Sequence, residues 1–172
     1  VLSGTYQQRS DETVEGERID PENNLHWRMN RRRLDFEAMR DGLLAAAGNT
    51  DPTPGGHGVD LTKEPLSNRR TVYAFIERQN LPSIFRTFDF ANPDSTSPQR
   101  FATTVPQQAL FMINSPFVAE QARHLMRREE IVRAPGDRRK IQALYEAVLQ
   151  RTPRPDELQL GLAFLRSQRG IP

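Results

Sequence analysis

The sequence predicts a mainly α fold: an irregular bundle of about five helices with at most one short β pairing. Three observations carry this. Four segments repeat apolar residues every three or four positions, the period of a half-buried helix. Only one stretch, residues 69–78, has the β-branched and aromatic composition of a strand. Turn signals bracket the helical segments, at Gly48-Asn49, Asn114-Ser115-Pro116 and Thr152-Pro153-Arg154-Pro155. At 172 residues the chain can bury roughly 70% of its unfolded surface. Its pattern reads as a main helical domain over 1–135 and a C-terminal αα-hairpin over 136–172 packed on it.

Taken in order, residues 1–10 read as the frayed end of a helix whose beginning is missing. Residues 11–24 are acidic and close on the turn signal Asp20-Pro21-Glu22-Asn23-Asn24, and Trp27, the only tryptophan, is the natural anchor of the next element to the core. A long helix is predicted from Asn30 to Ala47, with Phe36, Met39, Leu43 and Ala47 on one face and Arg33, Glu37, Arg40 and Leu44 on the stripe beside it. Gly48 supplies the cap. Residues 48–68 concentrate Pro52, Pro54, Gly55, Gly56, Gly58 and Pro65 and read as a long, mobile surface loop.

Residues 69–78 are expected to be extended, pairing near Val59–Leu61 or crossing the helices alone. Residues 81–89 suggest a short helix. A helix opening on Pro106 is expected to end near Ile113, because Pro116 cannot donate to the preceding turn and disfavours helical geometry at Ser115. Ser115 then serves as N-cap of a second helix, with Phe117, Val118, Gln121, Ala122 and Leu125 on one face. The Asn114 amide is expected to bind backbone of the Asp89–Asp94 segment. Helices over 138–150 and 156–168 complete the chain, the last opening on Asp156 and Glu157.

Composition excludes several chemistries. There is no cysteine, so disulfides, thiolate zinc sites and a cysteine nucleophile are absent. His26, His57 and His124 show no zinc-ligand spacing, and no metal site is expected. No apolar run approaches the ~18 residues of a membrane span. Lys63 and Lys140 are the only lysines among 24 basic residues, against 22 acidic ones, which favours a web of arginine–carboxylate pairs. Residues 1–30 are net −3 and residues 136–172 net +3. That distribution holds no large basic patch, so nucleic acid is not an expected partner, although nucleic-acid binding stays as a last alternative.

An ordered series of short motifs runs through the chain: Arg32-Arg33-Leu34-Asp35-Phe36-Glu37-Ala38-Met39-Arg40-Asp41, Arg69-Arg70-Thr71-Val72-Tyr73, Phe88-Asp89, Pro93-Asp94, Arg100, Thr103-Thr104, Gln108-Ala109-Leu110, Asn114 and Pro116-Phe117-Val118. In order and spacing it resembles the planctomycete cytochrome c-associated C-terminal domain of unknown function, found in large exported multidomain proteins. The resemblance implies an exported, periplasmic or cell-surface parent whose signal peptide lies outside this sequence. It implies a domain shortened at its N-terminus relative to the family, with haem carried by other domains and no cofactor here. It also implies partners among the parent's other domains. Polysaccharide is a further possible partner, by analogy alone.

The candidate binding residues are Arg33, Glu37, Arg40, Asp41, Arg69, Arg70, Tyr73, Asp89, Asp94, Arg100 and Asn114. The Arg33/Glu37/Arg40/Asp41 cluster reads chiefly as an ion network locking the long helix against residues 69–78, with Arg33, Arg40, Arg69, Arg70 and Arg78 as partners for Glu37. Asp89, Asp94 and Arg100 lie in an irregular segment, where a sugar site and a capping role are about equally favoured. Glycoside hydrolysis needs two carboxyl groups about 5–10 Å apart, for which Glu37, Asp41, Asp89 and Asp94 are the candidates. No nucleophile elbow, zinc-protease helix, P-loop or dinucleotide fingerprint is present. Thr103 and Thr104 read as helix caps. The functional expectation is a non-catalytic accessory or interaction domain, with glycan binding or glycan cleavage as the alternative.

Overall fold

The computed structural model describes residues 2–169. Among them are eight α-helices: α1 (Val14–Ile19), α2 (Phe36–Ala47), α3 (Ser83–Thr87), α4 (Pro106–Asn114), α5 (Pro116–Met126), α6 (Glu129–Val132), α7 (Gly136–Leu149) and α8 (Pro155–Arg169). The fold is mainly helical, and no sheet forms among the described residues. The chain divides into two compact units, residues 1–34 and residues 35–172.

In the first unit, residues 3–7 are bends and turns rather than the end of a helix. The short helix α1, which the sequence did not announce, is capped by the Thr13 hydroxyl, which accepts from the Gly16 N–H at 3.1 Å. The Trp27 ring lies directly over Gly16, where an added Cβ would come within 2.5 Å of the indole. Its Nε1 donates to the Asp20 carbonyl at 2.8 Å. The Asp20 carboxylate accepts from the Asn24 and Leu25 amides, so one aspartate closes the turn after α1.

In the second unit, α2 starts at Phe36 after Asp35, six residues later than periodicity suggested. Its buried face also differs from the expected one. Phe36, Arg40, Leu44 and Ala47 are buried, while Met39 and Leu43 lie at the border. The helix is thus turned so that an arginine from the supposed neighbouring stripe faces inward. Gly48 ends the helix in the left-handed conformation at φ 68°. The Arg128 guanidinium caps the carbonyl of Ala46 at 2.7 Å.

The core is aromatic. Phe36, Phe85 and Phe88 are buried with Leu81. Phe36–Phe85, Phe85–Phe90 and Phe88–Phe111 meet edge-to-face at 5.0, 5.1 and 5.5 Å between centroids, the arrangement ring quadrupoles favour. Helix α2 packs on α5 and α7, and α7 packs on α8. The last two form a hairpin closed at both ends. Asp137 at the start of α7 pairs with Arg169 at 2.8 Å, and the Arg151 fork grips Glu157 with two bonds of 2.7 Å.

Residues 69–78 are not a strand. A 3-10 turn at Thr71–Tyr73 interrupts them, and among the described residues only two isolated parallel bridges form, Asp51 with Arg69 and Val59 with Ala74. The second matches the partner expected near Val59. The glycine-rich loop, expected to be mobile, is anchored. Arg69 donates to the carbonyls of Thr53, Gly55 and His57 and stacks on Tyr73 at 4.1 Å, and the Tyr73 hydroxyl accepts from the Gly55 N–H.

The break between α4 and α5 falls at Ser115, which is extended (φ −69°, ψ 126°). The boundary agrees with the proline argument, but the capping does not: the Ser115 hydroxyl makes no cap bond, and only its carbonyl accepts, from Ala119. Helix α6, one turn long, escaped the sequence reading because so short an element shows no periodicity.

Candidate functional site

The side chains with the richest chemistry converge on a groove of about 510 Å³ in the second unit. Helix α2 supplies Glu37 and Asp41, which lie four positions apart and so share a helix face. The 3-10 turn supplies Arg70, Thr71 and Val72, and the irregular segment after α3 supplies Phe90 and Arg100. The apolar part includes Ala74 and Ile76, with Val72 69% exposed beside it.

Each carboxylate of the groove has its own partners. Glu37 is held by both arms of Arg100, at 2.9 and 2.8 Å, a bidentate fork. The Glu37 hydrogen bond raises the Arg100 pKa above the ordinary arginine value, against a smaller opposing effect of burial. Arg100 also lies over the Phe90 ring at 4.7 Å. Asp41 accepts from the Thr71 N–H at 2.7 Å and its hydroxyl at 2.6 Å, with Arg70 Nε at 3.4 Å. Both Glu37 oxygens are taken by a guanidinium that cannot give up its proton. The groove therefore presents ion pairs around an apolar floor, not an acid and a base poised over a bond.

Four of the predicted residues, Glu37, Asp41, Arg70 and Arg100, thus meet here. The partner of Glu37 is Arg100, not Arg40, Arg69, Arg70 or Arg78; Arg33 belongs to the first unit. Arg40 is buried instead and donates to the carbonyls of Ser67 and Arg69 and to the Thr71 hydroxyl, pinning the chain that enters the 3-10 turn. Arg69 and Tyr73 anchor the glycine-rich loop.

Asp89 adopts φ 58° and accepts from the Thr103 N–H and hydroxyl, so Thr103 fastens the segment before α4 rather than capping that helix. The cap position belongs to Val105, whose N–H reaches the Gln108 side chain. Asp94 is exposed and pairs with Arg78 at 3.4 Å. Asn114 is exposed at the end of α4, and no hydrogen bond ties it to the Asp89–Asp94 segment.

Sequence reasoning missed Phe90 and Val72 as groove residues. Phe90 follows Phe88-Asp89 directly, and its aromatic type was the available signal. Among the described residues no cluster of three metal-ligating side chains forms and no helix is long and apolar enough to cross a membrane.

Residues 1–165 match the family model PSD1, described as a protein of unknown function (DUF1553). No curated protein and no solved structure gives a match. With nearly its whole length matched, the chain belongs to the PSD1 family of proteins of unknown function.

Proposed function

We propose that this chain is a non-catalytic interaction domain of a longer, exported cytochrome c-type protein, and that the groove between α2 and the 3-10 turn is its binding face. The observation that carries this reading is the pairing in the groove. Glu37 is saturated by Arg100 and Asp41 by Thr71 and Arg70, while apolar surface at Val72, Ala74 and Ile76 stays available. Interaction surfaces combine such an apolar centre with a fixed charged rim. The multidomain setting, in which haem belongs to other domains and the partner is one of them, rests on the resemblance alone.

Glycan recognition is the second reading. A neighbouring pocket of about 420 Å³, lined by Arg78, Arg86, Asn92 and Asp94 with Phe90 as an aromatic wall, favours it. Planar polar side chains beside a ring suit sugar hydroxyls.

Calorimetry and reducing-sugar release against a polysaccharide panel separate the readings. The interaction reading expects neither binding nor release. Binding weakened by Asp94→Ala, without release, favours the glycan reading. Release abolished by Glu37→Gln would make the domain an enzyme.

A further inference from the structure

A separate cavity of about 250 Å³ shares no lining residue with the groove. Phe36, Phe111 and Phe117 form its apolar wall, and Arg40 and Ser115 bring polar atoms to it. Arg40 is only 4% exposed. Its guanidinium lies over the Phe117 ring at 4.6 Å. All three of its hydrogen-bond acceptors are neutral: the Ser67 and Arg69 carbonyls and the Thr71 hydroxyl. A guanidinium carries five N–H groups, so two are left over. No carboxylate is bonded to it directly, which is costly for a buried cation, and burial pulls the Arg40 pKa below the ordinary arginine value against a smaller opposing effect of Asp41.

The second observation is independent. Ser115 is 8% exposed, and its hydroxyl is free of the N-cap bond that this position normally makes, which leaves it available at the cavity.

We propose that this cavity binds a small aromatic or branched monocarboxylate. Its carboxylate takes the spare Arg40 donors and the Ser115 hydroxyl, and its apolar body lies against the three phenylalanines. The volume holds roughly eight water-sized groups at ~30 Å³ each, which suits a single ring with a carboxyl group. Exposed Glu64 also lines the cavity, and its charge opposes a second anionic group, which restricts the ligand to a monoanion.

Benzoate is the probe, titrated into the full chain and followed by amide chemical shifts, with benzamide as the uncharged isostere. Arg40 also pins residues 67–71, so the test rests on Ser115→Ala and Glu64→Gln. Neither substitution removes a hydrogen bond or ion pair that the fold uses. The expected result is a saturable response to benzoate centred on Ser115 and Phe117, with benzamide at least tenfold weaker. Ser115→Ala should weaken benzoate about three- to tenfold with an unchanged ligand-free melting temperature. Glu64→Gln should tighten it about threefold. No saturable response, equal binding of benzamide, or indifference to Ser115→Ala would each overturn the proposal.

Discussion

Glu37 reaches Arg100 across 63 positions of sequence, and the two side chains are 28% and 35% exposed. A fully buried pair would lose on the order of 3 kcal/mol on truncation, but solvent reaches this one. Glu37→Ala is therefore expected to cost about 1 kcal/mol, read from the urea midpoint, with Arg100 still resting on Phe90. Gly16 is a sharper case. A methyl group there meets the Trp27 ring at 2.5–2.6 Å on three atoms, a distance no packing tolerates. Gly16→Ala should expel the indole and break its bond to the Asp20 carbonyl, seen as a red shift of Trp27 fluorescence. An unshifted spectrum would mean that α1 yields instead of the ring. Neither contact was legible in the sequence: Gly16 looked like one more residue of an acidic stretch, and nothing local to Glu37 points to position 100.

The α7–α8 hairpin has its own pH signature. Hydrogen bonds from the Arg151 fork, then from the Arg154 N–H, hold the Glu157 carboxyl down at about 2 against an ordinary 4.5. The folded hairpin thus prefers the ionised form. Its contribution is complete above about pH 4.5 and is lost as pH falls from there through about 2. Glu157→Gln should flatten the acid limb of the melting curve in that window, and a limb as steep as that of the native chain would remove Glu157 from the cause. At the other helix junction, Asn114 is exposed and spans no gap. Asn114→Ala should change stability by less than about 0.5 kcal/mol; a loss well beyond that would mean that the amide holds a neighbour after all. The long helices were readable because apolar periodicity and proline placement act locally, as the Ser115 break shows. The rotation of α2 was not, because Arg40 is drawn inward by carbonyls almost thirty residues away. The 69–78 segment misled for the same kind of reason: its strand-like composition yields to the 3-10 turn that Asp41 fastens through Thr71.

For the molecule as a whole, membership of the PSD1 family and a mainly helical fold are the firm ground. The arginine-rich composition finds its use in forks, ring stacking and carbonyl pins spread through the second unit, not in one basic face. Of the eleven residues marked in the sequence, four share the groove, because two of the motifs meet where α2 crosses the 3-10 turn and Arg100 reaches Glu37 there. The others were chosen for chemical type alone, and the fold uses most of them to fasten loops. If the groove binds a protein partner and carries out no chemistry, that partner should be reachable from its apolar centre. Photo-cross-linking from position 72, the most exposed large apolar residue of the groove, within the longer protein that this reading supposes reads this out. A cross-link to another domain of that protein is expected, and it should be lost when Ala38→Arg fills the groove. A cross-link indifferent to Ala38→Arg, or none at all, would contradict the interaction reading.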